Sequence, residues 1–341
     1  MSTRSILGLM YTLEGVEGMG LDTKPFLKRY GIDIQSLSPD AEIDRMLELR
    51  IFNEVFANLE DPLAGIKIGA AMSLAGYGPF IMMLMTCENA WEAFRAGIQY
   101  QQLTYLYGEL SLLPEQDRIS LRLQPTLLPS SCYRVLLDRD MSGTYQLVLD
   151  LQNTIGSTIQ PLEVHMPYAK PKDIKPYEKR YGCPVLFDMP DARFVIPSKA
   201  TAIRFPSANR TAHALYRKQC DQVLTARAQK EQSDKGISEQ VVSLLELFVN
   251  AYPSIEDVAR NFDMSERSLR RKLSEQGTSF RKLLDQVRAA KATEMLQDTQ
   301  LSIDAIAHQL GYTESAAFIH AFQRWTNTTP AAFRNKNRQG T

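Results

Sequence analysis

The chain is poor in the side chains that carry most metal and nucleophile chemistry. Its 341 residues include only four cysteines and four histidines. Cys87, Cys132, Cys183 and Cys220 stand singly, without a CxxC pair. His165, His213, His308 and His320 share no ligand spacing with one another or with the cysteines. Zinc sites need such spacing, so no metal and no cofactor are expected. Scattered single cysteines fit a reducing compartment, where they act as small apolar residues. GxSxG, GxGxxG and phosphate-loop patterns are absent, and no catalytic residue is assigned. The most apolar run, "GPFIMMLMTC", is about half of the roughly 20 residues that a membrane-spanning helix needs. The opening "MSTRSILGLMYTLEGVEG" has only a brief apolar stretch before acids follow, unlike a secretory signal. These absences point to a cytoplasmic, non-enzymatic protein with no membrane contact.

Net charge is also lacking, with 39 basic and 39 acidic side chains. The balance hides an asymmetry. Residues 1–209 hold about 20 basic and 24 acidic groups, and residues 210–341 about 19 and 15. Residues 265–291 alone hold roughly eight Lys or Arg against three acids. Basic charge concentrated this way suggests a confined polyanion site.

The length favours two domains. Up to about residue 113 the apolar spacing is helical, as in "DAEIDRMLELRIFNEVFANL". "RISLRLQP" and "TYQLVLDLQ" then alternate with a period near two, and both read as strands. A strand, a proline-rich loop, a short helix and two more strands carry the chain to "ARFVIPSKA". A polar helix covers roughly residues 207–232, and "QSDKGIS" reads as a hinge. Beyond Gly236 only short helices and tight turns are expected. The predicted order is an α+β domain over 1–207, a helical linker over 208–236 and an all-α domain over 237–341.

One phrase occurs twice in the last domain, as "SIEDVARNFDMSERSL" and, about 48 residues later, "SIDAIAHQLGYTESAAF". In the first copy Ser254 and Asp257 form a capping-box pattern. Ile255, Val258, Ala259 and Phe262 make an apolar face, and Ser265 can cap the next helix. That helix buries Leu269 and Leu273 and leaves Arg267, Arg270, Arg271 and Lys272 outward. Two short helices with a tight turn, the second lined with arginine, match a helix-turn-helix. In the second copy Ile303, Ile306, Ala307 and Leu310 face inward, Gly311 makes the turn and Thr313 can cap. Phe318 and Phe322 anchor its second helix, while Glu314, Ser315, Ile319, His320 and Gln323 face outward or sideways. Between the copies, residues 279–297 form a helix with Phe280, Leu283, Leu284, Val287, Ala290 and Met295 on one stripe. A helix of about 20 residues spans roughly 30 Å, close to the about 34 Å between successive major-groove openings on one DNA face. Double-stranded DNA is the expected partner.

The stretch "SFRKLLDQVRAAKATEMLQDTQLSIDAIAHQLGYTESAAFIHAFQRWTNTTPAAFR" resembles the C-terminal signature of AraC/XylS-type bacterial transcription regulators. The matching features are "IA..LGY", "AF.RW" and the closing Pro330, Phe333 and Arg334. By that resemblance Arg267, Arg270 and Arg271 hold base- or phosphate-contacting positions of the first recognition helix, and Ser265 and Lys272 beside them are further DNA-binding candidates. Thr313, Glu314, Ser315 and His320 lie on the second. Apart from the resemblance, Arg281 and Arg288 read as phosphate contacts, with a bridge to another helix as the other reading of Arg288. The family commonly has arginine where His320 stands and glycine where Asn327 stands.

"GLDTKPFLKRYGID", "EDPLAGIKIGAAMSLAGYGPFIMMLM" and "PYEKRYGCPVLFDMPDARFVIP" resemble the arabinose-binding-like sensor region of one branch of these regulators. The resemblance implies a small-molecule effector, of unknown identity and with unknown binding residues. It also implies a homodimer and contact with RNA polymerase. The alternative is a ligand-independent regulator whose N-terminal domain only dimerises or binds other proteins. "FIMMLM" reads as a buried helix, with an apolar pocket wall as the other reading. Tyr105 and Tyr107 read as packing residues or as pocket lining.

Overall fold

A computed structural model describes residues 3–38, 41–155, 159–234 and 236–338. It divides into two compact units, Met1–Ser233 and Asp234–Thr341. Lys235, in the expected hinge, lies outside the described residues.

The first unit is α+β. Strands β1 (Thr3–Ser5) and β2 (Glu42–Asp44) form a small antiparallel ladder. The main sheet contains β3 (Gly108–Pro114), β4 (Arg118–Pro125), β5 (Glu163–His165), β6 (Val185–Leu186) and β7 (Ala192–Pro197). Its order is β3-β4-β7-β5-β6, antiparallel except for the β5–β6 pair. Helices α1 (Leu7–Glu17), α2 (Lys24–Arg29), α3 (Arg45–Ala57), α4 (Ala64–Ala71), α5 (Pro79–Met85) and α6 (Ala90–Gln99) precede the sheet. Local chemistry sets several of their starts. Asp44 accepts the Met46 and Leu47 amides at 3.0 Å, Pro79 opens α5, and Asn89 accepts the Glu92 amide.

Helix α7 (Ser130–Ile155) runs through the centre. It contains "TYQLVLDLQ", so the expected strand there is corrected to helix. Every residue from 136 to 145 is buried, polar ones included, and residues 146–151 of the misread stretch are all half-buried, with none exposed. A helix covered on all sides loses the polar face by which its period is recognised. Gly65 and Gly69 of α4 lie so near α7 that a Cβ on either would collide with its backbone. The polar groups of α7 are consumed locally. Arg139 donates to Asp140, to Thr12 Oγ1 at 3.2 Å and to the Tyr105 carbonyl at 2.7 Å. The other Asp140 oxygen accepts the Tyr107 and Gly108 amides. Buried charge is tolerated where partners replace water in this way.

The unit continues with α8 (Lys175–Tyr181), α9 (Ser198–Thr201) and α10 (Arg210–Asp234). Helix α10 is docked on this unit, not free-standing. Cys220 is fully buried in one cluster with Phe80, Leu84 and Phe205, against which Tyr216 and Leu224 also pack. Tyr100 donates to Asp221 at 2.7 Å, and Arg227 bonds Glu42 at 3.0 Å.

The second unit has no strand among its described residues. It consists of α11 (Ile237–Glu246), α12 (Ile255–Asn261), α13 (Glu266–Glu275), α14 (Phe280–Asp298), α15 (Ile303–Gln309), α16 (Ser315–Thr326) and α17 (Pro330–Arg338). Helix α14 joins two helix-turn-helix pairs, α12–α13 and α15–α16. Among the described residues, no helix is long and apolar enough to cross a membrane.

One buried acid gives the first unit a pH dependence. Burial raises the Asp138 carboxyl to about 7, against the opposing pull of Tyr168, Arg134 and Tyr177. Its folded value lies above its unfolded one, so the folded state holds the proton more tightly. That contribution is complete below about pH 4 and is lost as pH rises through about 7. Melting temperatures from pH 5 to pH 8 should therefore fall for the natural protein relative to Asp138→Asn. A constant difference across that range rejects the assignment.

Candidate nucleic-acid interface

The first helix-turn-helix is built by its caps and its turn. Ser254 accepts the Asp257 amide at 3.1 Å while Asp257 accepts the Ser254 amide at 3.2 Å, completing the capping box. Asp263 takes φ +53° at the turn, a left-handed conformation that aspartate tolerates better than most residues. Ser265 caps α13 by accepting the Ser268 amide at 3.2 Å. Leu269 and Leu273 are fully buried, which turns Arg267, Arg270, Arg271 and Lys272 to the surface. Glu266 holds Arg270 at 2.7 Å, and Glu275 lies 3.8 Å from Arg271. Such exposed pairs contribute little, about 0–1 kcal/mol, and exchange readily for other anions.

The second helix-turn-helix, α15–α16, repeats the plan one residue out of register. Gly311 turns the chain at φ +76°. The N-cap position of α16 falls on Glu314, whose side chain makes no capping bond, so the expected Thr313 cap is corrected. The physical cause lies in the anchors: Phe318 and Phe322 are fully buried, one residue later than Leu269 and Leu273 in the repeat, and the helix starts later with them. Thr313, Glu314 and His320 are exposed, and Ser315 is half-buried at the first helical position. Ala316, Ala317 and Gln323 share this exposure. Small side chains carry no charge signal, and the two alanines escaped the sequence reading. Arg324 is exposed too, but pairs with Asp285 at 3.1 Å. Asn327 ends α16 at φ +57°, which explains why it can stand in for glycine.

Helix α14 has 19 residues, a length of about 28 Å. Leu283 and Val287 of the expected stripe are buried, with Ala292 and Leu296 beside them, whereas Ala290, also expected there, is exposed. Its C-terminal half shares a core with Ile306, Leu310, Phe318 and Phe322. Arg281 and Lys282, in its first turn, are exposed. The other two cations of the basic stretch are used internally. The Arg288 guanidinium stacks between the rings of Tyr252 and Tyr312, at 4.9 and 4.6 Å. Lys291 donates to the carbonyls of Glu246 and Phe248, at 2.8 and 2.5 Å. Six of the eight basic side chains in residues 265–291 thus remain at the surface.

Asn250, at φ +71°, brings the segment after α11 to the second turn, where its amide donates to the Gln309 carbonyl at 2.8 Å. A Cβ at Gly311 would collide with the Asn250 carbonyl oxygen. Gly311→Val therefore combines positive φ with a steric clash. It should lower the melting temperature and weaken the protein's protection of its DNA in a footprint. Unchanged melting and an unchanged footprint would refute the reading of this turn.

Residues 20–204 match the arabinose-binding domain of AraC transcription regulators, and residues 258–336 match a helix-turn-helix domain. An uncharacterised HTH-type transcriptional regulator of Mycobacterium tuberculosis is 28% identical over 322 residues, covering 92% of this chain and 91% of that protein. The ornithine utilization regulator of Pseudomonas aeruginosa is 26% identical over 317 residues, covering 89% of this chain and 91% of that one. The solved transcriptional regulator CdpR from Pseudomonas aeruginosa is 23% identical, with 92% and 96% of the two chains covered and a TM-score of 0.46. The first domain match takes in more than half of the chain, and the second runs from within α12 through α13 and the α15–α16 pair. The chain belongs to the AraC family of transcription regulators: it is a sequence-specific DNA-binding regulator with an arabinose-binding-like N-terminal domain.

Proposed function

We propose that α13 and α16 each enter a major groove of duplex DNA and contribute unequally. Arg267, Arg270, Arg271 and Lys272 supply base and phosphate contacts, arginine being suited to bidentate pairing with guanine O6 and N7. Ser265 and Arg281 contact backbone phosphate. Thr313, Glu314, Ser315 and His320 follow the groove through shape and position, since this second helix presents little positive charge. The observation that carries the reading is the division of α13 between two fully buried leucines and four outward cations. The length of α14, near one DNA turn, supports it.

In this reading residues 1–207 bind a small-molecule effector, 208–236 relay its effect and 237–341 read DNA. Effector binding shifts the DNA-competent population through unequal affinity for two states. Protomers pair, RNA polymerase is contacted from the DNA, and no reaction is catalysed. The protein acts in the cytoplasm. One relative is named for ornithine utilization, which makes L-ornithine a compound to test.

Selection of duplexes from a random pool by the full-length protein should yield two contact blocks about one helical turn apart. Arg270→Ala should then lose about 1–3 kcal/mol of affinity for the selected duplex and relax preference at one base pair. Equal loss on selected and random duplexes assigns Arg270 to phosphate. No loss on either removes it from the interface.

A further inference from the structure

The first unit contains a cavity of about 80 Å³ between α5, α6, α7 and Phe205. One water needs about 10–15 Å³ by the same measure, so the space is several times larger. Its wall is almost entirely carbon, from residues such as Phe80, Leu84, Phe94, Leu147, Leu151 and Phe205. Arg139 and Asp140 are the wall's charged side chains, and both are committed. Arg139 bonds Asp140, Thr12 and the Tyr105 carbonyl, and Asp140 also takes the Tyr107 and Gly108 amides. Gln152 donates to the Ile159 carbonyl, and Thr104 donates to the Gln101 carbonyl. The Tyr77 and Thr144 hydroxyls are the wall's other polar side-chain groups beside Tyr105, which donates to the Gly76 carbonyl, and two hydroxyls are too few to replace the water that a sugar or an amino acid would lose.

Gly97 gives an independent sign that the space is kept open. It lies inside α6, where glycine weakens a helix. Close packing explains Gly65 and Gly69, which touch the α7 backbone. It does not explain Gly97, since a Cβ there would meet nothing within 4 Å. Gly97 lines the cavity, and any larger side chain would begin to fill it.

The cavity also has a physical route to the connecting helix. Phe80, Leu84 and Phe205 of its wall belong to the same packed cluster as Cys220 of α10, with Tyr216 and Leu224 against it. A molecule that spreads α5 and α6 changes the surface on which α10 is docked.

We propose that this cavity binds a small uncharged hydrocarbon-rich molecule, a single aromatic ring or a short alkyl chain. We further assign it as the effector site of this regulator. The second statement rests on the effector-sensing reading above; the first does not.

Melting of the full-length protein with toluene, 1-hexanol, L-arabinose and L-ornithine tests the proposal. Toluene or hexanol should raise the melting temperature, and the two polar compounds should not. Gly97→Leu should raise melting without ligand, by filling the space, and should no longer respond to toluene. Gly97→Ala, which adds one methyl group to open space, should fold and respond more weakly than the natural protein. No response to toluene or hexanol, or an equal response in the natural and both variant proteins, overturns the cavity assignment. Stabilisation by arabinose or ornithine that Gly97→Leu abolishes overturns the ligand class. With the selected duplex, toluene should change DNA affinity at least about fivefold. Toluene binding that leaves DNA affinity unchanged overturns the effector assignment while the cavity and its ligand class stand.

Discussion

The DNA-binding unit depends on one close contact, between the hydrogen-only face of Gly311 and the carbonyl of Asn250. No side chain fits between them, so the segment after α11 can rest directly on the second turn. The Asn250 amide fastens that segment to Gln309. Arg288 fills the remaining space between Tyr252 and Tyr312, with cation–π contacts on both sides. Lys291 ties α14 to the carbonyls at the end of α11. The first helix of the unit is thereby joined to its second reader through the strut, and the two pairs are braced at more than their covalent connection. Two DNA readers held at a fixed spacing, as proposed above, need this stiffness, since a loose joint would spend binding energy on ordering them.

The same contacts show why a count of basic residues overstates a DNA surface. Arg288 and Lys291 belong to the basic stretch by sequence, yet one stacks on tyrosines and the other caps carbonyls. Arg288 lies within about 20° of Arg281 in helical phase, so position along α14, and not its face, separates the covered cations from Arg281 and Lys282 in the first turn. Charge alone could not make that separation, because it depends on which stretch of α14 is covered by Tyr252, Tyr312 and the end of α11. The misplacement of Ala290 on the buried stripe has the same origin: alanine fits either face, and its neighbours decide.

Where local chemistry dictates structure, the sequence was informative. The Ser254–Asp257 box, the Ser265 cap and the positive φ at Asp263 and Gly311 follow from side-chain type and position. Leu269, Leu273, Phe318 and Phe322 are anchors because large apolar residues at helical spacing have one economical place to go. Thr313 misled because a good capping residue lies one position ahead of the cap; the later phenylalanine anchors set the start of α16. Helix α7 misled for a different reason. Its middle is buried on every side and carries Asp138, Arg139, Asp140 and Ser142 inside, and in the misread stretch after it Leu147, Leu149 and Leu151 alternate as in a strand while residues 146–151 offer no exposed face. Only the glycines of α4 hint at a close neighbour, and they do not name it. The cavity was half visible, in the reading of "FIMMLM" as either buried helix or pocket wall. Phe80 and Leu84 turn out to serve as both.

The buried polar groups of α7 and the dry cavity beside them are two consequences of one arrangement. Arg139 and Asp140 spend their bonds on Thr12, on each other and on the segment that leads into β3. This fixes α7 against α1 and the sheet, and leaves the cavity without an uncommitted charge. A site of this kind selects by shape and by dislike of polar groups, and its free energy comes from apolar surface removed from water. The small size of the cavity limits that area, so a single ring or short chain supplies only a modest gain. Coupling to DNA affinity cannot exceed the difference in that gain between the two states of the regulator. A strong response therefore requires that one state offer less of the cavity than the other. Among the described contacts, the packing of α10 against the same cluster is the element whose displacement would change it. The absent side chain at Gly97 fits this requirement, because it leaves the empty volume to the ligand and not to the protein's own core.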